Sequence, residues 1–232
     1  MRLTSPSNFR PLHSIRPVLW RSDHLGALNA DDARQIESLG ITRVLDFRGV
    51  NERVSAACKL PGVTVHSLAI EPTIVQTLQQ LVASGQQPTA GEVALHMEDT
   101  YRGFVRHNTH RFAEFFEHLL ASDEPTVFHC TAGKDRTGFA AALLLRAVDV
   151  PQDAVLQDYL LTNERLVMPT SWRSGLPAEA MEVLWRVRPA FLQAAFEEVD
   201  RRYGSLEAFY SEGLGLRAQE RERLKRLYLA AS

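Results

Sequence analysis

The chain has 232 residues, of which 45% are hydrophobic and 23% are charged, and its formal net charge is −2. These values are typical of a folded globular protein and exclude a disordered or fibrous chain, and the charge balance argues against a general nucleic-acid-binding role. Two cysteines, Cys58 and Cys130, are too few for a disulfide framework. No linker-like change of composition divides the chain, so we expect a single domain over residues 1–232.

Strand and helix patterns alternate in the first part of the chain. β-Branched and other apolar residues predict short strands over Val18–Ser22, Ile41–Phe47 and Gly62–Ala69. Asn29 is a candidate N-cap for a helix over Asp31–Leu39, which has acidic residues in its first turn and a glycine after its end. Strands separated by helices indicate an α/β layer structure.

The segment Glu71–Ala90 is polar but carries apolar residues at helical spacing. It predicts either a helix packed beside a pocket or a movable cover. Two apolar stripes follow, and we expect both to be helix faces that belong to the core. The stripes are Met97, Tyr101, Phe104 and Val105, then Phe112, Phe115, Phe116 and Leu119.

The ten residues 129–138, His-Cys-Thr-Ala-Gly-Lys-Asp-Arg-Thr-Gly, lie between a predicted strand, Thr126–Phe128, and a predicted buried helix, Phe139–Leu145. A tight loop at a helix N-terminus points backbone N–H groups at an anion and favours the thiolate form of a cysteine. Arg136 follows Cys130 by six residues, so its planar fork can reach two oxygens of a phosphate above the sulfur. The pattern indicates attack by sulfur on phosphorus.

Other readings of this loop are less consistent with its residues. A nucleotide-binding loop of the Walker A type needs Gly and Ser or Thr where this chain has Phe128 and Asp135. Thiol redox chemistry needs a resolving cysteine, and only Cys58 is available.

Beyond the loop, helices are predicted through Asp158–Asn163, within Arg165–Arg188, from Pro189 to Gly204, and over Ala218–Leu229.

Cys130, Arg136 and Thr137 match the signature loop of the protein tyrosine phosphatase superfamily. The ten-residue string resembles that of bacterial tyrosine and phosphoinositide phosphatases related to a secreted mycobacterial phosphatase. Asp46-Phe47-Arg48 is similar to the Asp-Leu-Arg of that family, and the family places it near the catalytic loop. Asn8-Phe9-Arg10, Arg21-Ser22 and the 158–163 string are also similar to family elements, although Pro11, His13 and Ser14 depart from the first.

The resemblance implies the cysteine-phosphatase fold, with a central, largely parallel sheet of four to five strands flanked by helices. It also implies a possible helical lid, for which Arg165–Arg188 is a better candidate than Glu71–Ala90 because some relatives place covering helices there. The implied function is hydrolysis of phosphate monoesters through a phosphocysteine. Protein phosphotyrosine is the first expected substrate, and phosphoserine, phosphothreonine or a phosphoinositide are further ones.

Each residue of the loop has an expected role. Cys130 attacks phosphorus, Arg136 and the backbone N–H groups hold the phosphate oxygens, and Thr137 can donate to the sulfur. His129 is expected to orient the loop rather than to act as a base. The phosphate-binding residues are Thr131, Ala132, Gly133, Lys134, Asp135, Arg136 and Thr137. The general acid is Asp135 or Asp46, with a slight preference for Asp135 because the motif itself sets its position.

Lys134 bears on the class of substrate. Its ammonium could reach a second phosphate of an inositide, or it could remain solvated and only raise the local potential.

We expect neither a metal nor a cofactor, since the arginine and the N–H groups supply positive charge. The expected partner is a phosphorylated protein or phosphoinositide substrate, without nucleic acid or membrane insertion. A non-catalytic phosphate-binding module is the alternative. A reducing, cytoplasmic location is expected, with signal-independent secretion possible.

Overall fold

The computed structural model describes residue 3 and residues 7–71, 73–167 and 175–230. Within these residues the chain forms one five-stranded sheet with helices on both sides. The strands are β1 (Arg10–Pro11), β2 (Leu19–Ser22), β3 (Arg43–Arg48), β4 (Thr64–Ile70) and β5 (Thr126–His129). The helices are α1 (Ala30–Glu37), α2 (Val50–Ser55), α3 (Thr73–Ala83), α4 (Ala90–His107), α5 (Thr109–Ala121), α6 (Asp135–Ala147), α7 (Gln152–Leu160), α8 (Thr162–Arg165), α9 (Ala178–Trp185), α10 (Pro189–Tyr203), α11 (Leu206–Ala208) and α12 (Ala218–Tyr228).

The strand order is β1-β2-β5-β3-β4, and only the β1–β2 pair is antiparallel. In register, His129 at the end of β5 pairs with Ser22 of β2 on one side and with Asp46 of β3 on the other. The carboxyl ends of the parallel strands therefore meet at one edge, where α/β proteins place their ligands. The predicted α/β class with a largely parallel sheet of four to five strands is confirmed.

The two faces of the sheet bury cores of unequal size. Leu45 and Phe128 face the larger cluster, to which α4, α5, α6 and α10 contribute most of the aromatic side chains. Val44 and Val127 face a smaller cluster closed by Ile36 of α1 and the N-terminal segment. Every residue of β3 and β5 is buried, because both faces of the sheet are covered at these central strands.

Most predicted elements lie close to the observed ones, but one predicted helix ends early, and β1, α2 and α11 were not predicted. The helix expected through residues 158–163 ends at Leu160, and a separate turn begins at Thr162. This break brings Thr162 Oγ1 within 3.1 Å of Arg10 Nη2 and 3.3 Å of Arg21 Nη2, which donate to it. Helix α2 was not predicted, because its six residues have little helical periodicity and none of them is buried.

Asn29 caps α1 as expected, with its side chain accepting from the backbone N–H of Asp32. Gly204 ends α10 in the left-handed conformation. Within the described residues, none of the helices combines the length and the apolar character needed to cross a membrane.

Candidate active site

The loop between β5 and α6 has a backbone conformation that depends on Gly133. Its φ is +62°, in the left-handed region that favours glycine. A Cβ at this position would lie 2.2 Å from the carbonyl oxygen of Ser22, so the loop packs directly against the end of β2. Cys130 precedes this turn and is buried.

The carbonyl groups of the loop are held from outside. Asn8 Nδ2 donates to the carbonyls of Ala132 (3.1 Å) and Gly133 (3.0 Å), and the N–H of His24 donates to the carbonyl of Thr131 (3.0 Å). With the carbonyls turned outward, the N–H groups of residues 131–136 have no protein acceptor among the described residues. Successive free N–H groups at a helix N-terminus form an anion-binding site.

A buried ionic cluster supports the loop from behind. Arg21 Nη2 donates to the carbonyl of Gly133 at 2.9 Å, and Arg21 Nη1 donates to Asp158 at 2.6 Å. Arg10 lies 3.6 Å from the same carboxylate. Burial and the neighbouring Arg21 lower the pKa of Arg10 to about 9. Two guanidinium groups share one carboxylate here, so the cluster carries positive charge behind the anion-binding loop.

Arg136 is held by a carboxylate that sequence reasoning missed. Its Nη1 and Nη2 donate to Glu52 of α2 at 2.7 and 2.9 Å, and Nη1 also donates to the carbonyl of Ile70 at 2.8 Å. No hydrogen bond joins Arg136 Nε to a described residue, so the Nε edge of the fork is free. The hydroxyl of Thr131 also donates to Glu52.

Glu52 remains ionised although it is partly buried. Burial alone would raise the pKa of Glu52, but the hydrogen bonds and charge of Arg136, the hydroxyl of Thr131 and the N–H of Gly49 lower it to about 2. Burial likewise opposes the charge of Arg136, whose pKa is nevertheless raised, mainly by the bonds to Glu52. No sequence signal pointed to Glu52, because its partners lie 79 and 84 residues away along the chain.

Asp135 lies at the cavity above the loop. Its side chain is 24% exposed, its Oδ1 accepts from the hydroxyl of Tyr101 at 3.0 Å, and its Oδ2 is 3.4 Å from Lys134 Nζ. Lys134 is only 4% exposed and donates to the carbonyl of Leu184 in α9. The solvated alternative for Lys134 is therefore wrong, because the ammonium is enclosed between α9 and Asp135.

Asp46 is placed differently. It is 1% exposed, and Arg48 donates to both of its oxygens through Nε and Nη2, the latter at 2.7 Å. Although burial would raise the pKa of Asp46, His129 and Arg48 lower it overall. His129 is completely buried, and its Nδ1 lies 2.9 Å from the carbonyl oxygen of Cys130 and 3.7 Å from Asp46. Asp46 therefore contacts the base of the loop and does not line the cavity.

A cavity of about 160 Å³ opens above Cys130. Part of its lining is polar and includes the loop, Arg136, Glu52 and Glu71. The rest is largely apolar and includes Ile74, Met97, Phe104, Leu184 and Trp185. An anion bound in the loop would thus lie at the base of a partly apolar cavity. No group of three or more His, Cys, Asp or Glu side chains in the described part of the chain is arranged to hold a metal ion.

Both predicted lid segments border the cavity. Ile74 belongs to α3 and Leu184 to α9. Asn163 anchors the chain after α9, since its side chain accepts from the N–H of Val187 at 2.8 Å and donates to the carbonyl of Val187 at 2.9 Å. Residues 168–174 of the Arg165–Arg188 candidate, and Pro72 of the Glu71–Ala90 candidate, lie outside the described residues.

The structure brings Cys130, the loop, Arg136 and Asp135 together and keeps Asp46 behind them. Thr137 Oγ1 is buried and makes no hydrogen bond within the described residues, so its expected bond to the departing sulfur stays a prediction. Sequence reasoning missed that Asn8, Arg21 and Asp158 support the loop. The similarity of the strings that contain them to family elements was a signal that could have identified them. The arrangement can bind a tetrahedral dianion against a thiol with a carboxylic acid beside it.

The profile of the tyrosine phosphatase family matches residues 3–230 of the chain. A protein of Cupriavidus necator named as a tyrosine-protein phosphatase is 30% identical over 204 residues, which cover 84% of this chain and 74% of that protein. The triple specificity protein phosphatase PtpB of Mycobacterium tuberculosis is 29% identical over 236 residues, with coverage of 84% and 86%. A crystal structure of P. aeruginosa TpbA aligns over 82% of this chain and 98% of that chain, at 18% identity and a TM-score of 0.41.

Proposed function

The chain belongs to the tyrosine phosphatase family, and from that premise we propose that it hydrolyses phosphate monoesters through a phosphocysteine at Cys130. The sulfur forms a bond to phosphorus while the ester P–O bond breaks, and Asp135 gives a proton to the departing oxygen. Water then attacks phosphorus, the S–P bond breaks and the released proton returns to Asp135. Inorganic phosphate leaves, and the thiolate is restored.

The observation that carries this proposal is the loop's row of N–H groups, which have no acceptor among the described residues, beside the free Nε edge of Arg136. A phosphoryl group in transfer spreads negative charge over three equatorial oxygens, and fixed donors stabilise that charge without reorganisation. Glu52 supports the same role, because it fixes the opposite edge of the guanidinium. The phosphate-binding residues we propose are therefore Thr131–Thr137, with the backbone supplying most of the donors.

We assign the general acid to Asp135 rather than to Asp46. Asp135 lines the cavity, whereas both oxygens of Asp46 are engaged by Arg48 and its pKa is lowered. A buried carboxylate held ionised by an arginine is a poor proton donor and instead supports the base of the loop. Asp46 then orients His129 and, through it, the loop.

Phosphotyrosine in proteins is the substrate that the cavity suits best. Its apolar side can pack against an aromatic ring whose phosphate lies on the loop. Among the described residues that line the cavity, the cations are Lys134 and Arg136, and both already have carboxylate or carbonyl partners. A second phosphate on an inositol ring would find no uncommitted cation there, so we rank phosphoinositides below phosphotyrosine.

The first prediction concerns the nucleophile. Cys130→Ser should reduce phosphate release from a phosphotyrosine peptide to background, because a serine hydroxyl is not ionised and cannot displace the ester oxygen. The variant should still bind the peptide, since the N–H groups and Arg136 remain. Calorimetry and a phosphate-release assay measure the two properties. Cys58→Ser is the matched control and should retain full activity; turnover by Cys130→Ser above a trace would exclude the phosphocysteine.

A panel of phosphotyrosine, phosphoserine and phosphothreonine peptides and phosphoinositides tests the substrate class with the unmodified chain. The highest kcat/KM is expected for phosphotyrosine peptides. Higher kcat/KM for a phosphoinositide would overturn the ranking but not the chemistry. Binding of every member of the panel without any phosphate release would instead support a phosphate-binding module.

A further inference from the structure

Two buried tyrosines connect α4 and α7 to the carboxylate of Asp135. The hydroxyl of Tyr101 donates to Asp135 Oδ1 at 3.0 Å and lies 2.7 Å from the hydroxyl of Tyr159. Both rings are buried, with exposed fractions of 0% for Tyr101 and 1% for Tyr159. Buried hydroxyl groups need hydrogen-bond partners. The two tyrosine hydroxyls are partners of each other, and the hydroxyl of Tyr101 has Asp135 as a second partner.

The direction of these hydrogen bonds follows from the chemistry of the groups. Asp135 Oδ1 accepts both when the carboxyl group is ionised and when its proton is on Oδ2, so the single proton of Tyr101 goes to Asp135 and the proton of Tyr159 goes to the oxygen of Tyr101. Burial first, and then the charge of Asp135, raise the pKa of Tyr101 well above its ordinary value. Burial and Asp135 also raise the pKa of Tyr159. Both hydroxyls therefore remain protonated donors at neutral pH.

The surroundings hold this pair of rings in one place. Tyr101 packs against Phe104 and Phe191, with ring centroids 5.2 and 6.0 Å away. Tyr159 lies against the first turn of α6, where a Cβ on Gly138 would be 3.0 Å from Tyr159 Cε2. The last glycine of the 129–138 string thus leaves room for a ring that supports the carboxylate three residues before it.

We infer that Tyr101 is a positioning residue for Asp135, and that Tyr159 positions Tyr101 in turn. This inference rests on the proposed role of Asp135 as the general acid. Because Tyr101 occupies Oδ1, the transferable proton is carried on Oδ2, on the side of Lys134. When Oδ2 releases its proton to the ester oxygen, the hydrogen bond from Tyr101 stabilises the carboxylate that forms. Tyr101 itself is not among the residues that line the cavity, so it would act on the substrate only through Asp135.

The dependence of rate on the leaving group separates positioning from a purely structural role. Phenyl phosphate needs a proton on its departing oxygen, whereas 2,4-dinitrophenyl phosphate does not. Tyr101→Phe should lower kcat/KM, which reports the steps up to departure of the leaving group, about tenfold or more for phenyl phosphate, because general acid catalysis is typically worth about 10²- to 10⁴-fold. For the dinitrophenyl ester the loss should stay within about twofold. Tyr159→Phe should show the same pattern with a smaller loss, about two- to tenfold, as expected for one neutral hydrogen bond.

Tyr210→Phe is the matched control. Tyr210 is also buried, and its hydroxyl donates to the carbonyl of Leu143 in α6 at 2.9 Å, away from the cavity. It should affect stability only, and the ratio of the two rates should stay at the wild-type value. Equal losses on both esters in Tyr101→Phe, or no loss on either, would overturn the inference.

Asp135→Asn in the same assay distinguishes this failure from failure of the proposed function. If Asp135→Asn slows phenyl phosphate selectively and Tyr101→Phe does not, the acid assignment stands and the positioning role is wrong. If Asp135→Asn slows both esters equally, Asp135 is not the acid, and the inference falls with that assignment. A wild-type protein that hydrolyses neither ester contradicts the proposed function itself.

Discussion

Glu52 contacts both ends of the loop between β5 and α6 with one carboxylate. It accepts from Arg136 and from the hydroxyl of Thr131, and it also accepts from the N–H of Gly49 at 2.8 Å. Because Glu52 fixes the guanidinium of Arg136, the free Nε edge keeps one orientation. The side chain of Arg136 then needs little reorganisation when phosphate binds. The same contacts couple the geometry of the loop to the ionisation of a single residue.

The pKa of Glu52 predicts how stability depends on pH. Its value in the folded chain, about 2, is below the ordinary 4.5, so ionised Glu52 stabilises the fold above pH 4.5 and this contribution is lost as pH falls toward 2. Glu52→Gln should therefore lower Tm at pH 7, and the difference from wild type should shrink between pH 5 and about pH 3. Thermal unfolding followed by circular dichroism at a series of pH values measures this.

Glu71→Gln is the control for that series, since Glu71 borders the same cavity and, among the described residues, accepts from the backbone N–H of Val50 alone, at 3.0 Å. Its Tm difference from wild type should be small at every pH. A Tm difference for Glu52→Gln that stays constant from pH 7 to pH 3 would contradict the assignment. At pH 7 the Glu52→Gln substitution should also raise KM for phosphotyrosine peptides, because Arg136 loses its charged partner.

The loop between β5 and α6 depends on close packing as well as on φ at Gly133. A Cβ at this position meets two difficulties, a left-handed backbone and the carbonyl of Ser22 at 2.2 Å. The first alone costs about 1–2 kcal/mol for an L-residue. The second requires the loop or the end of β2 to move, and movement there shifts the N–H groups that we propose bind phosphate.

Gly133→Ala should thus reduce kcat/KM by about 10²-fold if the N–H groups of the loop move by roughly 1 Å. This loss is larger than the effect of the substitution on stability explains. Gly204→Ala is the matched control, because Gly204 has a φ of +78° and a Cβ added there would meet nothing within 4 Å. It should lose a similar ~1–2 kcal/mol of stability from strain and keep its activity. Urea denaturation and steady-state kinetics separate the two effects. Equal activity in both variants would show that packing against Ser22 is unimportant.

The buried cluster of Arg10, Arg21 and Asp158 connects distant parts of the chain. The cluster joins the N-terminal strands to α7, to α8 through Thr162, and to the loop through the carbonyl of Gly133. These contacts span up to 152 residues of sequence, so the cluster links the beginning of the chain to its second half. A change in it should affect both stability and the site.

Asp158→Asn leaves two buried guanidinium groups without a counter-charge. Breaking one partner of a buried ion pair costs about 3–5 kcal/mol, so we expect a large drop in the free energy of unfolding, measured in urea. Asp153→Asn, an exposed position on the same helix, is the control and should change stability by less than about 1 kcal/mol. A loss below about 1 kcal/mol for Asp158→Asn would mean that the two arginines find other partners.

Local sequence was sufficient to predict the layer class, most helices and strands, and the residues of the loop. Periodicity, capping residues and turn residues act over a few positions, so they can be read without knowing the fold. The spacing of Cys130 and Arg136 belongs to this class of information, because one loop and one helix turn set their separation. The family resemblance, carried by the same short strings, is confirmed by the family match over residues 3–230.

Tertiary structure alone decided which side chains share an environment. Glu52 reaches Arg136 across 84 positions, Tyr101 reaches Asp135 across 34, and Lys134 reaches Leu184 across 50. The burial of Asp46 between Arg48 and His129 likewise depends on the pairing of β3 with β5. Protonation, orientation and exposure are set by such neighbours, since the cost of a charge depends on the groups and solvent within a few ångströms of it rather than on its position in the sequence.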